Sequence, residues 1–148
     1  MFQRNLALLI FVFLASTAIG QNRYVDSLVD WLAKHPERDT MRVMNTHRLS
    51  YRLSEISANQ SWNYAKETEV VAKQLGFKKG ECLANINYAI LEGIEGNFQN
   101  SADYYLKAIQ IAEQIKYTRG LSIAYNNIGE NNVRLNEFEK ALEYFQKA

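Results

Sequence analysis

His35 and His47 are the two histidines of the sequence, and Cys82 is its one cysteine. An imidazole can ligate a metal or move a proton near neutral pH, and a thiolate can attack carbon or bind zinc. A helical metal pair needs two histidines at i and i+4. His35 and His47 sit in different segments, and neither has such a partner. One cysteine excludes an intramolecular disulfide and a cysteine-based zinc site. Glu137, Glu139 and Glu143 alternate with Lys140 and Lys147, as pairs spaced i,i+4 on a solvated helix face would. No phosphate loop, GxSxG elbow or nucleotide fingerprint occurs. The sequence therefore predicts no catalytic residue, cofactor or metal. What remains is amide chemistry. Asn87 and Asn127 can each donate and accept, and so could grip the backbone of an extended peptide. The plainer reading is that each amide bridges to a neighbouring helix or is simply hydrated.

Those two asparagines are forty residues apart, and so is much else. Ser101 to Ala108 (SADYYLKA) aligns with Ala141 to Ala148 (ALEYFQKA), Phe98 with Phe138, Ala84 with Ala124 and Gly80 with Gly120. One step earlier, Ser61 falls on Ser101, Tyr64 on Tyr104, Ala72 on Ala112 and Gln74 on Gln114. The register holds without gaps from Ser61 onward. Before it, Arg48-Leu49-Ser50 fits only with a shift of one residue.

Each unit reads as two helices. Leu83, Ile86, Ile90, Leu91 and Ile94 recur at helical spacing within Glu81–Glu95. Gly96-Asn97 breaks that helix, and Phe98–Ile115 follows. The next pair spans Leu121–Leu135 and Glu137 to the last residue, with Asn136 as an expected N-cap and Glu139 placed to reach back. Upstream, Tyr24–His35 reads as a short helix stopped by Pro36. Asp39 is a fitting N-cap for a helix over Met41–Ile56. The last helix is short, so Leu142 and Phe145 would stay half covered and self-association through that end is an expectation.

Small residues give the pattern its identity. Tyr125-x2-Ile128-Gly129-x2-Asn132 is followed by Phe138, Ala141-x3-Phe145 and Ala148, and the preceding unit has Ala89, Phe98, Ser101, Tyr105 and Ala108 at matching places. This resembles the tetratricopeptide repeat. It departs from that pattern at Glu92 and Asn132, where an aromatic is usual, at Glu113, where a proline is, and in its period of forty. The resemblance covers Met41–Ala148 and implies an all-α, right-handed solenoid of antiparallel helix pairs. It also implies a concave groove lined by the first helix of each pair and a protein or peptide partner. The groove would present Leu83, Ile86, Asn87 and Ile90 from one unit and Ile123, Asn126, Asn127 and Glu130 from the next. The basic clamp by which chaperone-binding members hold a terminal carboxylate is missing, since Leu83, Ile86, Ile123 and Asn126 occupy comparable places.

The chain has 148 residues, 47% hydrophobic and 22% charged, with one proline. That suits one folded domain of long helices, because proline usually makes up about 5% of a chain. Residues 1–20 combine Arg4, an apolar run over Leu6–Leu14 and the small residues Ala18 and Gly20. They read as a secretory signal peptide cleaved before Gln21. Arg4 is the leader's only charge, so the mature chain keeps 16 of 17 basic residues against 16 acidic ones. Such balance gives no electrostatic reason to bind nucleic acid or an anionic membrane, and no later segment is apolar enough to enter one. The expected layout is a leader at 1–20, a short helix and linker at 21–38, and repeats at 39–79, 80–119 and an incomplete 120–148. An exported interaction scaffold fits this layout. The layout also resembles the exported sensory region of larger bacterial membrane signal transducers, histidine kinases or transcriptional regulators, which implies as the alternative that this chain is a fragment whose repeats precede an output domain.

Overall fold

The structure, a computed structural model, describes residues 23–148. The expected leader and its cleavage point lie outside the described residues. The chain divides into two compact units, residues 1–36 and 37–148. The described part of the first is helical over residues 23–34 (α1). At its end the His35 ring stacks on Trp31 at 4.3 Å, and its Nδ1–H donates to the Trp31 carbonyl at 2.8 Å.

The second unit consists of six helices: α2 (Thr40–Leu53), α3 (Ala58–Gln74), α4 (Lys78–Ile94), α5 (Phe98–Gln114), α6 (Thr118–Arg134) and α7 (Phe138–Lys147). Among the described residues there is no strand. Asp39 caps α2 as expected, its carboxylate accepting from the Arg42 amide at 2.8 Å. From α3 to α6, helices of 17 residues are each followed by a three-residue turn. The forty-residue period is therefore two helices and two turns. With the same turns, a unit of about 34 residues would hold helices of about 14, so the longer period adds just under one turn to each helix.

All four of those turns are built alike. The N–H groups of Phe77, Asn97, Tyr117 and Glu137 reach back to the carbonyls of Ala72, Glu92, Ala112 and Asn132 at 2.8–2.9 Å. The residue before each donates to a second carbonyl of the helix just ended, at 3.0–3.2 Å. These are Schellman turns, which satisfy the last carbonyls of a helix by placing one residue in the left-handed region. That residue is Gly76, Gly96, Lys116 or Asn136, with φ between 54° and 83°. Asn136 thus closes α6 instead of capping α7, whose N-cap is Glu137 with no side-chain bond. Asparagine suits both positions, and here the turn geometry decides. Lys116 is the misfit, because a left-handed backbone costs a residue with a Cβ roughly 1–2 kcal/mol. Lys116→Gly is expected to raise stability by about 0.5–1 kcal/mol, the relief of that strain less glycine's added freedom when unfolded. A shift of the urea midpoint to higher concentration checks it.

The first unit differs by one residue. α2 ends at Leu53 and is followed by a four-residue connection. Ser61 Oγ donates to the Ser50 carbonyl at 2.6 Å, the counterpart of Ser101 Oγ to the Ala89 carbonyl at 2.7 Å. The first pair spans eleven residues and the second twelve, which is the shift that the Arg48-Leu49-Ser50 alignment requires.

From α2 to α7, helices adjacent in sequence pack together, and the backbones of α2 and α4 and of α4 and α6 also approach closely, whereas those of α3 and α5 do not. An inner layer of α2, α4 and α6 therefore stands against an outer layer whose members are held apart. The core around Cys82, Ile86, Ala89, Tyr105, Ala108, Ala124 and Ile128 joins α4, α5 and α6. Close approach depends on small residues. A Cβ on Gly80 would lie 2.6 Å from Val43 and 2.7 Å from Ala72, and one on Gly129 would lie 2.5 Å from the Phe145 ring. Phe145 covers Gly129 yet stays 41% exposed, and Leu142 beside it is 59% exposed.

Candidate peptide-binding surface

The residues expected to line the groove separate into two groups. Leu83, Ile86 and Asn87 on α4 are 3%, 2% and 1% exposed. They are packed inside, and this corrects the expectation that they face a partner. Leu83 and Ile86 belong to the core cluster, which Met44 of α2 also joins. Asn87 ties the inner helices together: its Nδ2 donates to the His47 carbonyl at 3.2 Å, and His47 Nδ1 lies 3.0 Å from its Oδ1. Since an amide oxygen only accepts, Nδ1 carries the proton. Burial lowers the His47 imidazole to about 4; the Asn87 hydrogen bond opposes this, and the charges of Arg48 and Arg119 assist it.

The equivalent residues of α6 are open. Asn126 and Glu130 are exposed, while Ile123 and Asn127 are half-buried, as is Ile90 on α4. The contrast between Asn87 and Asn127 has a geometric cause. α4 is flanked by α2 and α6, whereas α6 meets only α4 among the inner helices described. Asn127 spends one amide hydrogen on the Ile123 carbonyl of its own helix at 2.7 Å, and its oxygen accepts no bond from the described residues. Ile123, Asn126, Asn127 and Glu130 fall at i, i+3, i+4 and i+7, so they form one stripe.

The small residues of α4 to α7 decide what this scaffold resembles, since Gly129 is pressed beneath Phe145 where Ala89 and Tyr105 are buried one unit earlier. Residues 81–148 match the tetratricopeptide repeat. No curated protein and no solved structure matches the chain. The all-α tetratricopeptide-like solenoid extends beyond the matched residues, because α2 and α3 repeat the same pairing and the same serine-to-carbonyl bond. Tetratricopeptide repeats suggest a protein–protein interaction scaffold.

The remaining reactive side chains have local roles. Cys82 is fully buried, its Sγ lies 3.4 Å from the Ala108 carbonyl, and burial pushes the thiol up to about 11. Glu137 pairs with Lys140 at 3.1 Å, at i,i+3 spacing. Among the described residues no group of His, Cys, Asp and Glu could hold a metal, and no helix is long and apolar enough to cross a membrane.

A second concavity was not signalled by the sequence. Trp62 of α3, Tyr88 of α4 and Tyr104 of α5 form a continuous aromatic row, with ring centroids 5.5 Å and then 5.2 Å apart. They line a cleft of about 680 Å³ on the outer layer. The three rings come from three helices at unrelated spacings, so only the packing reveals them.

Proposed function

We propose that this chain is an exported, non-catalytic scaffold whose inner face holds an extended segment of a protein partner against α6. The stripe Ile123, Asn126, Asn127 and Glu130 carries the reading. It joins an apolar side chain, two amides and one carboxylate on an accessible helix face. An extended peptide offers unpaired backbone N–H and C=O groups, and amides at i and i+1 can take up both kinds. Export rests on the leader at residues 1–20. The same layout of leader and repeats suits the input region of a membrane transducer. The intact mass and first residue of the protein from its own source separate the two: a small species beginning at Gln21 supports the free scaffold, and a much larger one supports the transducer.

Binding is testable directly. A peptide library displayed on phage and panned against the leader-free chain is expected to yield binders that weaken at least tenfold on Asn126→Ala with Glu130→Ala. Both side chains are exposed, so the double variant keeps its fold, checked by circular dichroism. Failure to enrich any binder, or binders indifferent to the double variant, would refute the α6 surface.

A further inference from the structure

We propose that the outer cleft between α3 and α5 is a separate recognition site for an acidic peptide segment that carries an aromatic side chain. The cleft exists because the backbones of α3 and α5 stay apart, and Glu81, Asn85 and Tyr88 of α4 line it between them. At about 680 Å³ it has room for a few side chains. Two of its three rings are held in place by hydrogen bonds. The Trp62 indole N–H donates to Glu95 at 2.8 Å, and the Tyr88 hydroxyl donates to Glu69 at 2.8 Å. Pre-set rings offer a flat apolar face without an ordering cost, and a further aromatic side chain stacked on them extends the row.

Charge selects the rest of the ligand. Glu69 is already satisfied by Lys73 and Tyr88, and Glu81 by Lys78. Burial works against ionisation of Glu69, but its bonds to Lys73 and Tyr88 and the charges of Lys73 and Lys107 hold it below the ordinary value. Lys66 and Lys107 also line the cleft, and no ion pair joins either of them to a carboxylate among the described residues. Lys107 Nζ stands over the Tyr104 ring at 4.7 Å, which positions one cation at the aromatic row. One cation over an aromatic face and a second in the same cleft match a carboxylate next to an aromatic side chain. A nucleic acid fits less well, because its evenly spaced phosphates would have to pass Glu69 and Glu81 in the same cleft. The site uses no residue of the α6 stripe.

The test uses Trp62 as reporter. The sequence has two tryptophans, so the leader-free chain with Trp31→Phe leaves one. Titration with the peptide Asp-Glu-Tyr-Glu-Asp is expected to change Trp62 emission saturably. Binding is expected to weaken at least tenfold in Lys66→Glu with Lys107→Glu and in Tyr104→Ala, and to weaken as salt rises from 0.05 to 0.5 M. Both lysines are exposed, so their reversal leaves the helical spectrum unchanged. Asn126→Ala with Glu130→Ala is expected to bind this peptide normally, so the cleft and the α6 surface fail independently. The proposal is overturned if Lys-Lys-Tyr-Lys-Lys binds as well, if the lysine reversals have no effect, or if an oligo-dT strand binds more tightly than the acidic peptide.

Discussion

Tyr105→Ala is expected to destabilise the second unit by about 4 kcal/mol, within the range of about 3–5 for deleting a buried aromatic ring. Tyr105 is 2% exposed and the largest of the fully buried side chains. It shares one cluster with Ala89 of α4 and with Ala124 and Ile128 of α6, so its loss opens a void where three helices meet. The alanines among these neighbours cannot extend to fill it. Domains of this size are stable by about 5–15 kcal/mol, so the loss is a large share of the whole. Tyr105→Phe separates ring from hydroxyl. Burial, with the charge of Glu130 nearby, raises the phenol above its usual range and keeps it protonated. Phe145 occupies the equivalent place one unit later, and the conservative change is expected to cost no more than about 1 kcal/mol. Urea unfolding of both variants is the measurement, and a cost under about 1 kcal/mol for Tyr105→Ala would contradict the packing described.

Acid is expected to weaken the same unit through His47. In the folded chain this imidazole takes up its proton only near pH 4, while an unfolded one does so near 6.5. Between those values the unfolded state binds more protons, so stability rises with pH there and is lost as pH falls from about 6.5 towards 4. The shift corresponds to about 3 kcal/mol at most. Burial of the ring sets the sign, the charges of Arg48 and Arg119 add to it, and the Asn87 hydrogen bond opposes it. His47→Gln is expected to flatten the pH dependence of the urea midpoint across this window, whatever it does to stability at pH 7. An unchanged slope would mean that the ring is solvated.

The architecture was legible because its signals are local and repeated. Glycines, small residues and aromatics recur every forty positions, and the recurring glycines Gly80 and Gly120 mark places where a neighbour leaves no room for a Cβ. Helix starts were less legible. α4 and α6 begin three residues earlier than the apolar pattern suggests, since Phe77 and Tyr117 stand at the N-caps and supply no capping side chain. Instead each ring covers a glycine three residues on, where a Cβ would come within 2.6–2.8 Å of it. The binding surface was the least legible. Asn87 and Asn127 are identical in repeat position, yet one is locked between helices and the other is accessible. That depends on how many neighbours each helix has, which no repeat pattern encodes. The outer cleft needs three helices to exist and leaves no spacing to detect.

The inner position of α4 has an uneven consequence for robustness. Among the described residues, α4 packs against α2, α3, α5 and α6, whereas α7 packs against α6 alone. A defect in α7 therefore loosens one interface and leaves the others standing. A defect in α4 strikes four at once, including the Asn87 bridge and the α4 lining of the outer cleft. Among the described helices, a change of the same chemistry therefore reaches further from α4 than from α7.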